Sequence, residues 1–394
     1  MRWSSAVSDN PALNEAVNDA ALSALAGLDG ESPDLAVVFV SPQHRQLFDA
    51  VPWLLKPHIG NALILGCTAG GVIGGGIEVE QRAAFSLTLA HLPGVTLAPF
   101  VLDEGQLPNE DAPPDDWHDL LHAKPEFNPQ FVMLSDPFTM NIDNLVVGMD
   151  YAFPRAAKVG GLASAGPRPG INRLYLGGEV LTKGAIGVAM WGNITVDTVV
   201  AQGCKPIGDP MLVTGCHRNV LTEVDGRKPL EVLQELYGRA NDHDQQLFQG
   251  SLFVGMVMDE LQGDYKLGDF LIRNVMGAER ETGAIYVGTL LREGQTVQFH
   301  LRDAGTATAD LRSMLNLYYA EHDLYQAEGA LLFSCLGRGV GLFGRPNHDS
   351  DLFHEVVGPV PLGGFFCNGE IGQVAGTTYV HGYTSSFGIF RPAK

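Results

Sequence analysis

The chain has 394 residues, 45 % of them hydrophobic and only 18 % charged, with a formal net charge of −20. That is enough apolar material for a large buried core, which excludes global disorder. Its 48 glycines are about 12 % of the chain, against a usual ~7 %, yet no Gly-x-y period appears, so collagen-like and fibrous readings are out. Forty-five acidic residues against 25 basic ones, with no run of Lys and Arg longer than two, argue against nucleic acid and anionic membrane as partners. The N-terminus MRWSSAVSDNPALNEAV lacks the apolar centre of a signal peptide, and no apolar run approaches the ~18 residues of a membrane span. The five cysteines (Cys67, Cys204, Cys216, Cys335 and Cys367) are odd in number and form no C-x-x-C pair, so they read as reduced thiols. The expectation is a soluble cytoplasmic protein.

In chain order, residues 11–28 carry apolar positions at helical spacing behind Asn10-Pro11. LAVVFV (35–40) reads as a buried strand, a helix is expected near 42–55, and ALILG (62–66) is a second buried strand. AAFSLTLAHL (83–92) and VTLAPFVL (95–102) alternate and are expected to form an antiparallel pair. FVMLS (131–135), the stretch 159–165, RLYLGGEV, GAIGVAMWG and ITVDTVVAQG supply further strands, with a helix over 143–153. The texture changes at VDGRKPLEVLQELYG (224–238), a helix with Leu230, Leu233, Leu236 and Tyr237 on one face. A boundary is therefore placed there, giving domains 1–225 and 226–394. Strands resume in SLFVGMVMD, GDFLIRNVMG, GAIYVGTLL and TVQFHLRD, and a long helix is expected over 308–323. LLFSC, GGFFCNGEIG and TTYVHGYTSSFGIF close the chain.

The expected fold is α+β: two strand-rich mixed α/β domains packed around a shared cleft. An internal echo suggests that they are related. ALILGCTAGGVIGGG (62–76) lies over ALLFSCLGRGVGLFG (330–344), with Cys67 over Cys335, and VGGLASAG (159–166) lies over LGGFFCNG (362–369). Composition alone can make glycine-rich apolar strands look alike, and that explanation weighs about as much.

Several groups can carry chemistry. GCTAGGVIGGG follows a strand but has no G-K-[ST] and no helix behind it, so a nucleotide loop is disfavoured. Cys335 precedes Arg338 by three residues, and a nearby guanidinium favours a thiolate. The plainer reading is a small buried hydrophobe. Glu370 in CNGEIG is a lone carboxylate among apolar residues, for which Arg338 or Arg273 are the natural partners. Arg273-Asn274 and Arg302-Asp303 are polar pairs at the ends of apolar strands, and Asp303 can equally cap the helix that follows. His118 and His122 in DDWHDLLH stand at i and i+4, yet an acidic, proline-flanked segment reads better as a solvated helix than as a metal site. His348 and His354 in NHDSDLFH are read as loop residues.

The linked order of these motifs resembles the FIST family. FLIRNVMG, GAIYVG, VQFHLRDA, the C-x-G-R-G of Cys335 to Gly339, and GGFFCNGEIG resemble the FIST C domain. GCTAGG, VGGLASAG, GAIGVAM and QGCKPIGDPMLVT running into VDGRKPLEVL resemble the FIST N domain. The resemblance implies an intracellular sensory protein that binds a small ligand such as an amino acid, in a cleft between the domains. In eukaryotic members the module is coupled to an F-box. The residues ahead of the first motif are too few for one here, which implies output through a separate signalling partner. Carried over motif by motif, the expected ligand-binding residues are Cys67, Thr68, Arg273, Asn274, Arg302, Asp303, Cys335, Arg338, Asn368 and Glu370. Arginine would clamp a carboxylate and Glu370 would receive an ammonium. No cofactor or metal is expected. Two readings compete: haem, since some family members are described as haem-based gas sensors, and a hydrolase with Cys335 as nucleophile. The lack of a recognisable acid–base pair favours binding over catalysis.

Overall fold

Three runs that the sequence marks as buried strands, LAVVFV, FVMLS and ALLFSC, each form the first member of a parallel pair. Strands buried on both faces need no polar alternation, which is why these runs are continuously apolar. The computed structural model describes residues 1–109, 111–322 and 327–393. It divides into two units: one of Met1–Val200, Met314–Val380 and Thr384–Lys394, the other of Ala201–Ser313 and His381–Tyr383. These limits differ from a division near residue 225.

The first unit is built of three repeats of one plan, β-α-β-α-β-β-β-β. The first repeat runs β1 (Arg2–Ser8), α1 (Leu13–Ala26), β2 (Leu35–Val40), α2 (Val51–Ile59), β3 (Leu63–Thr68), β4 (Gly71–Gly74), β5 (Ile77–Glu80) and β6 (Phe85–His91). The second runs β7 (Val95–Leu102), α3 (Pro114–Leu120), β8 (Gln130–Ser135), α4 (Ile142–Ala152), β9 (Lys158–Leu162), β10 (Leu174–Leu176), β11 (Glu179–Leu181) and β12 (Ala185–Gly192). The third begins with β13 (Thr195–Ala201) and is then interrupted by the second unit. That unit holds β14 (Cys204–His217), β15 (Val220–Val224), α5 (Pro229–Arg239), α6 (Asp242–Leu247), β16 (Leu252–Val257), β17 (Phe270–Ala278), β18 (Ile285–Val287) and β19 (Thr296–Arg302). The repeat resumes through α7 (Ala304–His322), which enters the first unit at Met314, then β20 (Gly329–Cys335), α8 (Val340–Phe343), α9 (His348–Val357), β21 (Leu362–Cys367), β22 (Glu370–Val374), β23 (Thr377–His381) and β24 (Ser385–Arg391). Residue 323 of the expected long helix lies outside the described residues.

Each repeat makes four strands of one six-stranded sheet and lends its hairpin to another. The orders are β1-β6-β2-β3-β10-β11, β7-β12-β8-β9-β22-β23 and β13-β24-β20-β21-β4-β5. The first sheet thus takes the hairpin of the second repeat, the second sheet that of the third, and the third sheet that of the first. The inner faces of all three sheets meet in one core, with Phe39, Cys67, Val132, Ile186, Phe333, Phe365 and Cys367 among its members. Phe365 stacks on Phe39 at 4.5 Å and meets Phe333 edge-on at 5.8 Å. On the outer faces, α1 and α2 cover the first sheet, while α3 and α4 cover the second.

A glycine marks the repeat. A Cβ on Gly66 would lie 2.1 Å from the Val38 carbonyl oxygen, one on Gly160 1.8 Å from that of Met133, and one on Gly364 1.9 Å from that of Leu332. These positions are equivalent, and they align Thr68 and Leu162, the last residues of β3 and β9, with Phe366, one residue before the end of β21. The internal echo in the sequence is therefore misplaced. Its first half lays β3 on β20, whereas β3 corresponds to β9 and β21, and its second half is one residue out of register. The expected pairing of 83–92 with 95–102 also fails: β6 lies between β1 and β2, which use both its edges, and β7 pairs with β12 in the next sheet.

In the second unit, β14-β15-β18-β17-β16-β19 close a barrel. Val213, Leu221, Val254, Ile285, Val287, Val297 and Phe299 form one core, to which α5 adds Val232 and Leu233. The opposite strand face carries Phe253, Phe270 and Ile272 with Cys204, flanked by Tyr265 and Tyr383.

Candidate functional site

The ends of the parallel pairs converge where the three repeats meet. The Ser164 N–H donates to the Thr68 carbonyl at 3.1 Å and the Asn368 N–H to the Leu162 carbonyl at 3.0 Å. The third link runs through a side chain: Ser164 Oγ accepts from Gly70 N at 2.8 Å and donates to the Phe366 carbonyl. One hydroxyl thus joins all three repeats. Six of the ten expected residues lie in this unit. Cys67 and Thr68 end β3, and both are buried, with Thr68 Oγ1 accepting from Arg173 N at 2.9 Å. Cys335 and Cys367 are register partners on β20 and β21. Asn368 is exposed on the following turn, and Glu370 is fully buried, its Oε2 accepting from Thr384 N at 3.2 Å. Burial pushes the Cys67 and Cys367 thiols well up; Glu370, Cys67 and Cys335 add to the shift at Cys367.

Arg338 lies beside this rim but its fork is committed. Nε and one terminal nitrogen bind Asp349 at 2.8 and 2.9 Å, with both residues about 1–2 % exposed. Asp349 also accepts from Ser334 Oγ at 3.1 Å and from Ser385 Oγ, and His348 Nδ1 lies 2.8 Å away. The Phe343 ring stacks on His348 at 3.4 Å and lies 5.1 Å from the guanidinium. Burial alone would raise Asp349; the Arg338 guanidinium and the His348 and Ser385 hydrogen bonds reverse that and hold its carboxyl well below the usual range. The sequence suggested Arg338 as partner to Glu370 and activator of Cys335. Its strong ion pair is instead with Asp349, which lies in NHDSDLFH, a helix rather than the expected loop. His348 and His354 lie on α9, which starts at Asn347 in the left-handed region (φ 59°). The overlooked signal was the acidic first turn ahead of LFHEVV, a helix-start pattern.

Glu78 belongs to the same network from a different repeat. It accepts from Ser350 N at 2.8 Å and Ser350 Oγ at 2.9 Å, so a carboxylate on the lent hairpin caps the first turn of α9. Burial, then the nearby Asp349 charge, pushes it up to about 7. Glu80 likewise accepts from Val340 N at the start of α8, and burial raises its carboxyl.

The other four expected residues lie in the barrel unit. Successive strand residues face opposite ways, which separates Arg273 from Asn274. Asn274 is the register partner of Phe253, as is His300, and Arg302 follows His300 by two, so these four share a face. The Arg302 guanidinium lies 4.9 Å from the Tyr383 ring centroid and 5.9 Å from that of Phe253, and the Tyr383 hydroxyl donates to Asn274 Oδ1. Burial lowers His300 to about 4, leaving it a neutral ring against Phe270. Arg273, on the other face, opposes Val254. Asp303 caps α7, accepting from Thr306 N and Oγ1, with His243 Nε2 at 3.0 Å. Partial burial opposes ionisation there, and the His243 and Thr306 hydrogen bonds hold Asp303 below its ordinary value. Tyr383 and Phe253 were invisible as site residues in the sequence, where they read as ordinary strand aromatics.

His118 and His122 do not share a helix face: α3 ends at Leu120, His122 has φ 52°, and its Nδ1 lies 3.2 Å from the Pro99 carbonyl. Among the described residues no group of three His, Cys, Asp or Glu is placed to hold a metal ion, and no helix is long and apolar enough to cross a membrane.

A three-repeat α+β unit interrupted by a six-stranded barrel, with motif residues at strand ends in both, is the class of protein this arrangement defines. The chain matches the FIST N domain over residues 34–227 and the FIST C domain over 229–373, and it belongs to the FIST family. FIST domains are sensory domains of signal transduction. An uncharacterised protein of Mycobacterium tuberculosis is 37 % identical over 399 residues, covering 99 % of this chain and 100 % of the relative. An uncharacterised protein of Mycobacterium bovis is 35 % identical, covering 99 % of each. An F-box/LRR-repeat protein of Arabidopsis thaliana is 24 % identical over 170 residues, 41 % of this chain and 31 % of that protein. The crystal structure of a cyanuric acid hydrolase from A. caulinodans aligns over 100 % of this chain and 99 % of its own at 8 % identity, with a TM-score of 0.36, too low to carry an argument.

Proposed function

We propose that this protein is a cytoplasmic sensor that binds a small metabolite bearing a carboxylate, of the amino-acid class, and signals through a separate partner. Membership of a sensory family supports the first part. The observation that carries the ligand class is the Arg302 seat in the barrel unit. A guanidinium laid beside the Tyr383 and Phe253 rings, with Asn274 on the same strand face, is oriented before a ligand arrives. A planar fork so held suits bidentate binding of a carboxylate and loses little freedom when it does so.

The test is a thermal-shift panel of amino acids, nucleotides and haem, followed by calorimetry on any hit. A ligand at 100 times its Kd adds roughly 2.7 kcal/mol to stability. Arg302→Lys keeps the charge and loses the fork, so a carboxylate ligand is expected to weaken at least about tenfold. Unchanged affinity in Arg302→Lys overturns this seat. A Soret band with haem and no shift with any amino acid replaces the ligand class.

A further inference from the structure

Cys335 and Cys367 stand opposite one another at the rim where the repeats meet, as the terminal register pair of parallel strands β20 and β21. Hydrogen-bonded strands lie about 4.8 Å apart, inside the roughly 4.4–6.8 Å between Cα atoms that a disulfide spans. Both side chains take the inner face. Ser334 points outward to Asp349, so Cys335 points inward by alternation, and Cys367 belongs to the central core with Phe333 and Phe365. The two differ in access, since Cys335 is partly exposed and Cys367 is buried.

The fold does not require this pair. Counted from the carbonyls of Val38, Met133 and Leu332, the equivalent residues are Ser41, Asp136 and Cys335; the N–H of each donates to the carbonyl of Ala84, Gly184 or Thr384, respectively. The facing position after Thr68, Leu162 and Phe366 is Ala69, Ala163 and Cys367. The same backbone therefore holds Ser with Ala, Asp with Ala, and two thiols. Only the third repeat can close a covalent bond there.

We propose that Cys335 and Cys367 form a peroxide-responsive dithiol, a modification site in which Cys335 is oxidised first and Cys367 resolves it. The Cys335 thiolate attacks one oxygen of a hydroperoxide. The O–O bond breaks, the other oxygen leaves as alcohol or water after taking up a proton, and Cys335 becomes a sulfenic acid, oxidised by two electrons. The Cys367 sulfur then gives up its proton and attacks Cys335 Sγ. The S–O bond breaks, water leaves and the S–S bond forms. Two thiols and one hydroperoxide thus yield a disulfide, water and an alcohol, or two waters when hydrogen peroxide is the oxidant. Burial shields Cys367 from a peroxide in solution and leaves the first oxidation to the partly exposed Cys335; Cys367 needs only to reach the sulfur beside it. The bond would hold the turn 336–339, and with it Arg338, to the end of β21. Nothing in this step depends on the Arg302 seat.

The experiment treats the full-length reduced protein with a few equivalents of hydrogen peroxide, blocks remaining thiols, and maps tryptic peptides without reduction. The expected product links the peptide containing Cys335 to that containing Cys367 and is reversed by dithiothreitol. Cys335→Ser and Cys367→Ala carry residues that the other repeats use at these places, so both variants are expected to melt near the parent, and each is expected to lose the link. Cys67→Ala is expected to keep it. Over-oxidation of Cys335 to sulfinic acid without a link overturns the proposal, as does a dominant link through Cys67, Cys204 or Cys216.

Discussion

The first two repeats of the sheet unit and the third share a backbone plan but differ in what lies between sheet and crossover helix. Under α2 the space is filled by Val38, Val40, Phe48, Val51 and Leu55; under α4 it is filled by Phe131, Met133, Leu145, Val146 and Met149. In the third repeat the corresponding layer holds Arg338, Asp349, Ser334, Ser385, Ser350 and Glu78, all buried. α2 is held mainly by apolar burial; α4 adds a pair of Asp150 with the buried Lys158 at 2.8 Å; and α9 combines Phe353, stacked on Phe387 at 5.3 Å, with the larger charged network around Asp349. The larger of the buried charged networks thus lies in one third of a nearly symmetric scaffold.

The sharpest way to break that comparison is Arg338→Ala. Removing one partner of a buried ion pair strands the Asp349 charge and costs about 3–5 kcal/mol. The exposed pair of Arg82 with Asp9 should yield only about 0–1 kcal/mol for Arg82→Ala. Urea denaturation measures both; near-equal losses would show that the third repeat is held much as the others are. The backbone equivalence has its own test in Gly66→Ala, Gly160→Ala and Gly364→Ala. Each places a Cβ about 2 Å from a strand carbonyl, an overpacking cost of about 3 kcal/mol. Gly364→Ala is expected to be the worst of the three, because φ there is 149°. One silent member of the set would dissolve the alignment of the repeats.

The smallest expected effect is a pH dependence peculiar to the third repeat. Glu78 faces Asp349 and Ser350 from α9 and Glu80 from its own strand, with His348 and Arg338 paired to Asp349 beyond. Its carboxyl titrates near 7 when folded, against an ordinary 4.5, so the folded state holds the proton more tightly. The stabilisation from that proton is complete below about pH 4.5 and is lost as pH rises through about 7. Glu78→Gln keeps an acceptor for Ser350 without the charge. It is expected to flatten the melting temperature between pH 5 and 8 and to add about 1–2 kcal/mol at pH 8. Parallel pH profiles for the two proteins would remove Glu78 from the account.

What the sequence made legible was local. LAVVFV, FVMLS and ALLFSC declared themselves as strands through β-branching and continuous burial, and the motif residues at their ends fell on the converging rim or on the barrel strands. What stayed hidden was non-local pairing. The link Leu92-Pro93-Gly94 is short enough to read as a hairpin turn, and nothing in it reveals that both edges of β6 are already taken. Cys67 over Cys335 looked like the anchor of an internal repeat because identity drew the eye. The repeating element is a glycine two or three residues before a strand end, visible only once the carbonyl facing it is known. Arg338 and Glu370 could be picked out as charges needing partners, but Asp349 could not be chosen as the partner without knowing that α9 lies over β20.

The exchange of hairpins also governs when this chain can fold. The edge of β9 in the second sheet is covered by β22, more than 200 residues later in the chain, and the third sheet needs β4 and β5 from near its beginning. A chain emerging from the ribosome can collapse its first sheet once β11 is made, but β9 then waits, its hydrogen-bonding edge bare, until residues 370–374 appear. Bare strand edges recruit other chains, and contacts of such sequence separation form slowly. The cyclic design that binds the finished unit thus leaves its nascent form dependent on its last strands, and a chaperone covering β9 during that interval would suit it.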